Sequence, residues 1–134
     1  MLARISTAPL NAPEVESAVA GAEFGAVVLF TGQVRNHDGG RAVTRLEYSA
    51  HPGAEKFLAA ICAEVSASSG LPVAAVHRVG DLAIGDVAII VAVAAAHRAE
   101  AFATCAELVE RIKHEVPIWK RQHFADGESG WVGL

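Results

Sequence analysis

The sequence predicts an α+β domain in which about three helices pack against a mixed or largely antiparallel sheet. Short segments rich in β-branched residues alternate with segments of helical periodicity, in the order β-α-β-β-α-β-β-α-β. Glycine and proline residues separate these segments. With 134 residues, the chain is expected to form a single domain over residues 1–134.

The N-terminal part predicts a strand followed by a helix. Residues 3–6 favour the strand. The helix begins with Asn11 or Ala12 near its cap and has Pro13 in its first turn, where the missing N–H is harmless. We expect this helix to end near Gly21.

The central part predicts two strands and a helix. The strands lie at residues 26–34 and 42–48, and the polar, glycine-containing segment 35–40 between them indicates a mobile loop. The helix ends at Gly70 and Pro72. Its apolar side chains recur at helical spacing and form one stripe: Ala54, Phe57, Leu58, Ile61, Cys62 and Val65.

The C-terminal part predicts two more strands, at residues 73–79 and 86–95, with 80–85 as their connection. A long helix over residues 98–115 follows, and residues 118–124 form a last strand or extended segment. The apolar side chains that this helix turns inward are Phe102, Cys105, Leu108, Val109 and Ile112.

Charge and hydropathy exclude several classes of protein. The formal net charge of −4 argues against a general nucleic-acid surface. The longest strongly apolar run, residues 87–96, is half as long as the roughly 20 residues that a membrane helix needs. No secretory signal pattern opens the chain. We therefore expect a cytoplasmic protein that binds neither nucleic acid nor membrane.

The sequence predicts no metal site and no bound cofactor. Cys62 and Cys105 lack metal-ligand spacing, and the six histidines are scattered. Nucleophile-elbow, P-loop, dinucleotide-binding and HExxH motifs are absent. Both cysteines fall on apolar helix faces, which favours buried free thiols, although a disulfide between them stays open at this point.

Two cationic segments are candidates for binding an anion. Arg35 ends a strand and enters a glycine-containing loop, although a solvated strand-end charge is the alternative. His97 and Arg98 precede the long helix, where the positive end of the helix dipole disfavours cations. A bound anion would stabilise these two cations at the N-terminus of the helix, although Glu100 could instead neutralise Arg98. We expect Arg35, His97 and Arg98 to converge, with one of them supplied across a dimer interface as an alternative.

A third cationic segment, residues 113–123, is a candidate for catalysis. Lys113 near the helix C-terminus could simply complement the helix dipole. That explanation is poorer for Lys120 and Arg121, which lie beyond Pro117 and beside a tryptophan. Lysines crowded by cations or apolar surface have lowered pKa values, which suits them to act as bases or nucleophiles.

These segments together resemble the catalytic (large) subunit of molybdopterin synthase. The resemblance covers nearly the whole chain, in order and with compatible spacing. It rests on Phe-Thr-Gly-Gln-Val-Arg-Asn at 30–36, His-Arg-Val-Gly-Asp-Leu at 77–82, Ala-His-Arg at 96–98, Ile-Lys-His-Glu-Val-Pro-Ile-Trp-Lys-Arg at 112–121 and Gly-Trp-Val at 130–132.

The resemblance implies a sulfurtransferase of molybdenum cofactor biosynthesis with an α/β hammerhead-type fold. Such an enzyme adds two sulfurs to cyclic pyranopterin monophosphate and so forms the dithiolene of molybdopterin. The sulfur arrives as a thiocarboxylate on the C-terminal glycine of a small ubiquitin-like partner subunit. Two large subunits form a homodimer at the centre of a heterotetramer. The apolar run 87–95, which exceeds what one small core needs, also favours a homodimer.

The resemblance also implies site residues. Lys113 is the first catalytic candidate and Lys120 the second. Gln33 stands where many family members have lysine, and His51 replaces a more usual tyrosine. Substrate contacts carry over to Gln33, Val34, Arg35, His97, Arg98, Lys113, Lys120, Arg121 and Gln122.

Two alternatives remain at this point. A non-catalytic cytoplasmic α+β module that binds a phosphate-bearing metabolite would use the arginines and histidines but would not need Lys113 beside Lys120. A family member that lost its activity would not be expected to keep both lysines.

Overall fold

Two sheets and three helices make up the computed structural model, which describes all 134 residues. The elements follow one another as β1 (Ala3–Ser6), α1 (Ala12–Ser17), β2 (Ala26–Gln33), β3 (His37–Asp38), β4 (Arg41–Ala50), α2 (Ala54–Ser69), β5 (Val73–Arg78), β6 (Gly80–Ala83), β7 (Val87–Ala95), α3 (Arg98–Glu115), β8 (Ile118–Phe124) and β9 (Ser129–Gly133).

The first sheet has the strand order β1-β5-β7-β2 and is mixed, because β1 pairs with β5 in parallel and the other pairs are antiparallel. The helices α2 and α3 cover one of its faces, and α1 covers the other. The α+β class predicted from the sequence is therefore confirmed.

The apolar strand β7 is buried on both faces by the chain's own elements. Val91 and Val93 belong to the cluster under α2 and α3, whereas Ile90 and Ala92 belong to the cluster under α1. A central strand covered on both sides needs a continuous apolar run. The expectation that residues 87–95 exceed the needs of one core was therefore wrong, and this run gives no support to a homodimer.

The helix ends follow the predicted local signals with one exception. The Asn11 side chain accepts a hydrogen bond from the Glu14 N–H (3.3 Å), and Gly70 ends α2 with a left-handed φ of 71°. The exception is α1, which ends at Ser17. The Val19 N–H donates to the Glu16 carbonyl (3.2 Å), so the chain leaves α1 in a tight turn before Gly21.

Two phenylalanines assigned to inward helix faces are exposed instead. Phe57 is 52% exposed and Phe102 61% exposed, while Leu58 and Leu108 on the same helices are buried. Both apolar stripes are wider than the face that the first sheet covers. The surplus apolar surface is therefore left at the outside of α2 and α3.

A second sheet, with the order β3-β4-β8-β9 and with β6 also pairing to β4, was not predicted as a separate unit. The predicted loop 35–40 contains the short strand β3, which forms a hairpin with β4 through Gly39 and Gly40, both with positive φ angles (56° and 78°). The strands β6 and β9 escaped prediction because β6 buries only Leu82 and β9 buries no residue.

Gly32 provides a test of how the first sheet packs. A Cβ on Gly32 would lie 2.6 Å from Cγ2 of Ile89, so we expect Gly32→Ala to lower the free energy of unfolding by about 1–3 kcal/mol. Gly130→Ala is the matched control, because a Cβ added there would meet no heavy atom within 4 Å and the φ of Gly130 is not positive. Urea denaturation of both variants checks this, and equal stabilities would contradict the packing described.

Candidate active site

A cavity of about 340 Å³ opens between the two sheets, beside the C-terminal end of α3. This volume is within the range of small-molecule sites. Three cationic side chains face it and no aspartate or glutamate does, which suits an anionic ligand. The lining residues are Gly32, Gln33, Arg35, His37, Val43, Leu46, Tyr48, His77, Ala88, Ile89, Lys113, Lys120, Gln122 and Leu134.

The first sheet supplies one wall through residues that are neighbours across strands. Gly32 on β2 pairs with Ile89 on β7, and Ile89 pairs with His77 on β5. Paired residues share a face of the sheet. The register shifts between Gly32 and Gln33, and such an irregularity re-aims a side chain, which accounts for two consecutive residues lining the same cavity.

The second sheet supplies the opposite wall. Lys120 and Gln122 on β8 pair with Tyr48 and Leu46 on β4. Because strand residues alternate between faces, residues two apart on each strand point to the same side. Lysine and glutamine thus enter the cavity beside a tyrosine and a leucine.

The helix α3 brings the second lysine. Lys113 lies in its last turn, where the partial negative charge of the helix end favours a cation. Val116 and Ile118 are buried and anchor the short connection into β8. This tight turn places Lys113 and Lys120 beside the same cavity.

The surroundings of Lys120 lower its pKa. Burial contributes most, the charge of Lys113 adds to it and Arg35 adds less, while Asp38 acts in the opposite direction. Removal from water and nearby positive charge both disfavour the ammonium form. The prediction that crowding lowers a lysine pKa in this segment is confirmed at Lys120, which suits that residue to proton transfer.

Five of the nine predicted site residues lie at the cavity: Gln33, Arg35, Lys113, Lys120 and Gln122. The Arg35 side chain is 63% exposed, and its guanidinium lies 3.3 Å from a carboxylate oxygen of Asp38. An exposed ion pair of this kind is weak, so the guanidinium remains available to a ligand.

Val34 and Arg121 are sequence neighbours of residues that line the cavity, but their own side chains point away from it. Val34 is buried beside Leu46 and Leu82, so it is a core residue. Its N–H donates a hydrogen bond to the Asp86 carbonyl, and its carbonyl accepts one from the Gly85 N–H. Arg121 points to the other face of β8, because strand neighbours alternate. Its guanidinium donates to the Ser129 hydroxyl (3.1 and 2.9 Å).

His97 and Arg98 are exposed at the start of α3, whereas Lys113 lies in its last turn. Fifteen residues of helix separate Arg98 from Lys113 by about 22 Å. A single chain therefore does not bring Arg35, His97 and Arg98 together. Their predicted convergence now depends on a second copy of the chain.

Sequence reasoning did not assign His37, Tyr48 or His77 to the site. His77 belongs to the segment 77–82 that carried the family resemblance, and this was the available signal. Tyr48 gave none, because a tyrosine near the end of a strand is ordinary. Burial raises the pKa of Tyr48, so its hydroxyl stays protonated at neutral pH.

Both cysteines are buried free thiols, as predicted. Burial raises the pKa of Cys62 to about 11 and also raises that of Cys105, so neither is a thiolate at neutral pH. No group of three or more histidine, cysteine, aspartate or glutamate side chains is placed to hold a metal ion. None of the helices has the length and hydropathy needed to cross a membrane.

Comparison with known proteins gives a consistent result. The model of the MoaE protein family matches residues 5–115. The molybdopterin synthase catalytic subunit 1 of Mycobacterium tuberculosis is 42% identical over 97% of this chain and 89% of that protein. The catalytic subunit of Bacillus subtilis is 40% identical over 96% of this chain and 83% of that protein.

The fold agrees with the sequence matches. The crystal structure of molybdopterin synthase from Staphylococcus aureus superimposes with a TM-score of 0.90 and 39% identity, over 97% of this chain and 96% of that chain. The resemblance inferred from the five sequence segments is thereby confirmed. The chain belongs to the MoaE protein family, the family of these molybdopterin synthase catalytic subunits.

Proposed function

We propose that this chain is a sulfurtransferase, the catalytic subunit of a molybdopterin synthase. It transfers two sulfurs from the C-terminal thiocarboxylate of a small sulfur-carrier subunit to cyclic pyranopterin monophosphate, in the cytoplasm. The observation that carries the proposal is the cavity with three cations, two of them lysines, and no acidic side chain, in a member of this family.

The cavity suits a ring system that carries a phosphate. The Arg35 guanidinium can donate two parallel hydrogen bonds to phosphate oxygens. Gln33 and Gln122 present amides that both donate and accept, as the polar edge of a heterocycle requires. Val43, Leu46 and Ile89 supply the apolar surface on which a ring can pack.

The two lysines have different surroundings, and we assign them different roles. Lys113 is exposed at the rim, where an incoming polypeptide tail reaches it first, so it is the first candidate to contact the acyl group. Lys120 is half-buried with a lowered pKa and can take up a proton. The charge on Lys113 also helps to keep Lys120 neutral.

The sulfur has to be brought by another molecule. The chain's two cysteines are buried and protonated, so neither acts as a nucleophile or a sulfur carrier. An extended C-terminal tail that ends in glycine can enter a narrow cavity, where its backbone is recognised. The relatives are named catalytic subunits, which implies a further subunit, and we assign that role to a small ubiquitin-like protein.

A homodimer at the centre of a heterotetramer completes the assembly. The strand β2 is at the edge of the first sheet, where Val27 and Leu29 are exposed. An apolar surface groove between β2 and α3 is lined by Val28, Leu29, Phe30 and the exposed Phe102. Apolar residues on an unpaired edge favour association with another chain. A second copy covers this surface through the same residues, as two-fold symmetry requires.

The same two-fold arrangement explains the positions of His97 and Arg98. The first residue of β2, Ala26, pairs with Ala95, two residues before His97, whereas the last residue of β2 lies at the cavity. Two β2 edges set antiparallel place the start of one strand beside the end of the other. His97 and Arg98 of the second copy then complete the anion site around Arg35.

The test combines the chain with its thiocarboxylated partner and cyclic pyranopterin monophosphate and follows consumption of the thiocarboxylate. We expect multiple turnovers, and none with a partner that lacks its terminal glycines. Binding of the pterin without any consumption would favour the alternative, a non-catalytic module for a phosphate-bearing metabolite.

A further inference from the structure

His77 is a buried polar residue in the wall of the cavity that the proposed chemistry leaves without a task. Its side chain is only 2% exposed, and it lines the cavity from β5, next to Ile89. The Tyr48 ring packs edge-on against it, with centroids 5.1 Å apart. The imidazole is therefore held in one orientation by its neighbours.

The hydrogen bonding of His77 determines which ring nitrogen carries the proton. Nδ1 lies 2.7 Å from the Arg78 carbonyl oxygen, which can only accept, so Nδ1 carries the hydrogen. Nε2 has no partner in the chain. Among the buried side-chain nitrogen and oxygen atoms, only Nε of Arg78 lacks a hydrogen-bond partner. Because Nε2 of His77 also lacks a partner, it is not fully buried and must reach the open space of the cavity.

The imidazole stays neutral at physiological pH. Burial lowers the pKa of His77 to about 4, and the positive charge of Lys113 adds to this effect, while the hydrogen bond to Arg78 opposes it. With Nδ1 protonated, the neutral ring presents a lone pair at Nε2.

This lone pair, like the amide oxygens of Gln33 and Gln122, gives the cavity an acceptor that its cations lack. Arg35 and Lys113 can only donate hydrogen bonds, and so can Lys120 whenever it is charged. These groups hold an anionic ligand but cannot recognise a donor. An acceptor that a bound ligand covers without donating to it is costly, so a ligand that supplies an N–H is favoured over one that does not.

We propose that Nε2 of His77 accepts a hydrogen bond from a ring N–H of the substrate and thereby selects a nitrogen heterocycle over other phosphate esters. This inference rests on the proposed function, since it takes the substrate to be cyclic pyranopterin monophosphate. His77 acts as a specificity-determining residue in binding, and the lysines carry the chemistry.

Two variants at position 77 test the proposal. His77→Phe keeps a flat ring against Tyr48 but removes the acceptor, whereas His77→Gln can place an amide oxygen near the position of Nε2. We expect His77→Phe to weaken binding of cyclic pyranopterin monophosphate tenfold to a hundredfold, by roughly the effect of one unpaired buried group. The affinity of the His77→Gln variant for cyclic pyranopterin monophosphate should stay within about threefold of the wild-type affinity.

Inorganic phosphate is the matched probe, because it uses the cations and has no ring. Calorimetry should show unchanged phosphate affinity in His77→Phe, and steady-state assays should show a raised KM with a nearly unchanged kcat. Equal loss of phosphate and pterin binding would show a merely structural role and overturn the proposal. Pterin affinity equal to that of the wild type in His77→Phe would overturn it as well.

A measurement on the wild-type chain avoids any folding defect of the variants. The ¹⁵N resonance of the unprotonated Nε2 should move on addition of cyclic pyranopterin monophosphate but not on addition of inorganic phosphate. No movement with the bound pterin would overturn the role of His77 alone. If the wild-type chain fails to bind the pterin at all, the proposed function fails and this inference fails with it.

Discussion

Replacing Lys113 by alanine is expected to reduce turnover at least about a hundredfold while leaving folding and partner binding intact. Lys113 is exposed where it lines the cavity, and its charged form lowers the pKa of its neighbour Lys120. Its neutral amine is the group that would accept a proton or the acyl group. If Lys113 only complements the helix dipole, the same variant should lose about 0.3–1 kcal/mol of stability and keep its turnover. Steady-state rates and urea denaturation of one preparation distinguish these outcomes.

Lys113→Arg separates the charge of Lys113 from its chemistry, because arginine keeps the charge but cannot deprotonate. Lys120 can take up a proton only in its neutral form, so the rate rises with pH as Lys120 loses its proton. Lys113→Ala removes a cation that lowers the Lys120 pKa, so this rise should move to higher pH, and in Lys113→Arg it should stay in place. The turnover rate of Lys113→Arg should nevertheless remain low. A rate near that of the wild type would show that Lys113 acts only through its charge.

A mixed dimer of one Lys113→Ala chain and one Arg98→Ala chain is expected to recover about half of the wild-type activity. If each site combines Lys113 of one copy with Arg98 of the other, one of the two sites in this dimer contains both defects and the other contains none. Each variant alone should be far less active at substrate concentrations below KM. Two affinity tags, one on each chain, allow the mixed dimer to be purified and assayed.

The control for this rescue is a mixed dimer of Lys113→Ala and Lys120→Ala chains. Both lysines line the cavity of the same chain, so each site carries one defect and no activity should return. Activity of the first mixed dimer at only the mean of its two parent variants would show that Arg98 does not act across the interface.

The sequence identified the helices and the long strands because each buries an apolar face with its own periodicity. It could not identify β3, β6 and β9, whose few residues bury little and which exist through pairing with β4 and β8. The division into two sheets depends on the pairing of β4 with β8 and not with a strand of the first sheet. It therefore lay beyond what hydrophobic periodicity can predict.

The candidate site shows a similar limit. Alternation along β8 separates Arg121 from Lys120 and Gln122, but only the tertiary fold shows which face meets the cavity. The length of α3 alone was sufficient to show that Arg98 and Lys113 cannot share a site within one chain. His77 lies in the segment 77–82 that carried the resemblance, but its burial and its hydrogen bond to the carbonyl of Arg78 are visible only in the structure.

Sulfur transfer by this chain is measured by mass spectrometry of the pterin product after incubation of cyclic pyranopterin monophosphate with the wild-type chain and ³⁴S-labelled thiocarboxylated partner. We expect a product that contains two labelled sulfur atoms, formed with consumption of two thiocarboxylates, and no such product from a chain carrying both Lys113→Ala and Lys120→Ala. A pterin that is bound but recovered without sulfur would contradict sulfur transfer by this chain. Equal product from the double variant would contradict the assignment of the chemistry to the two lysines.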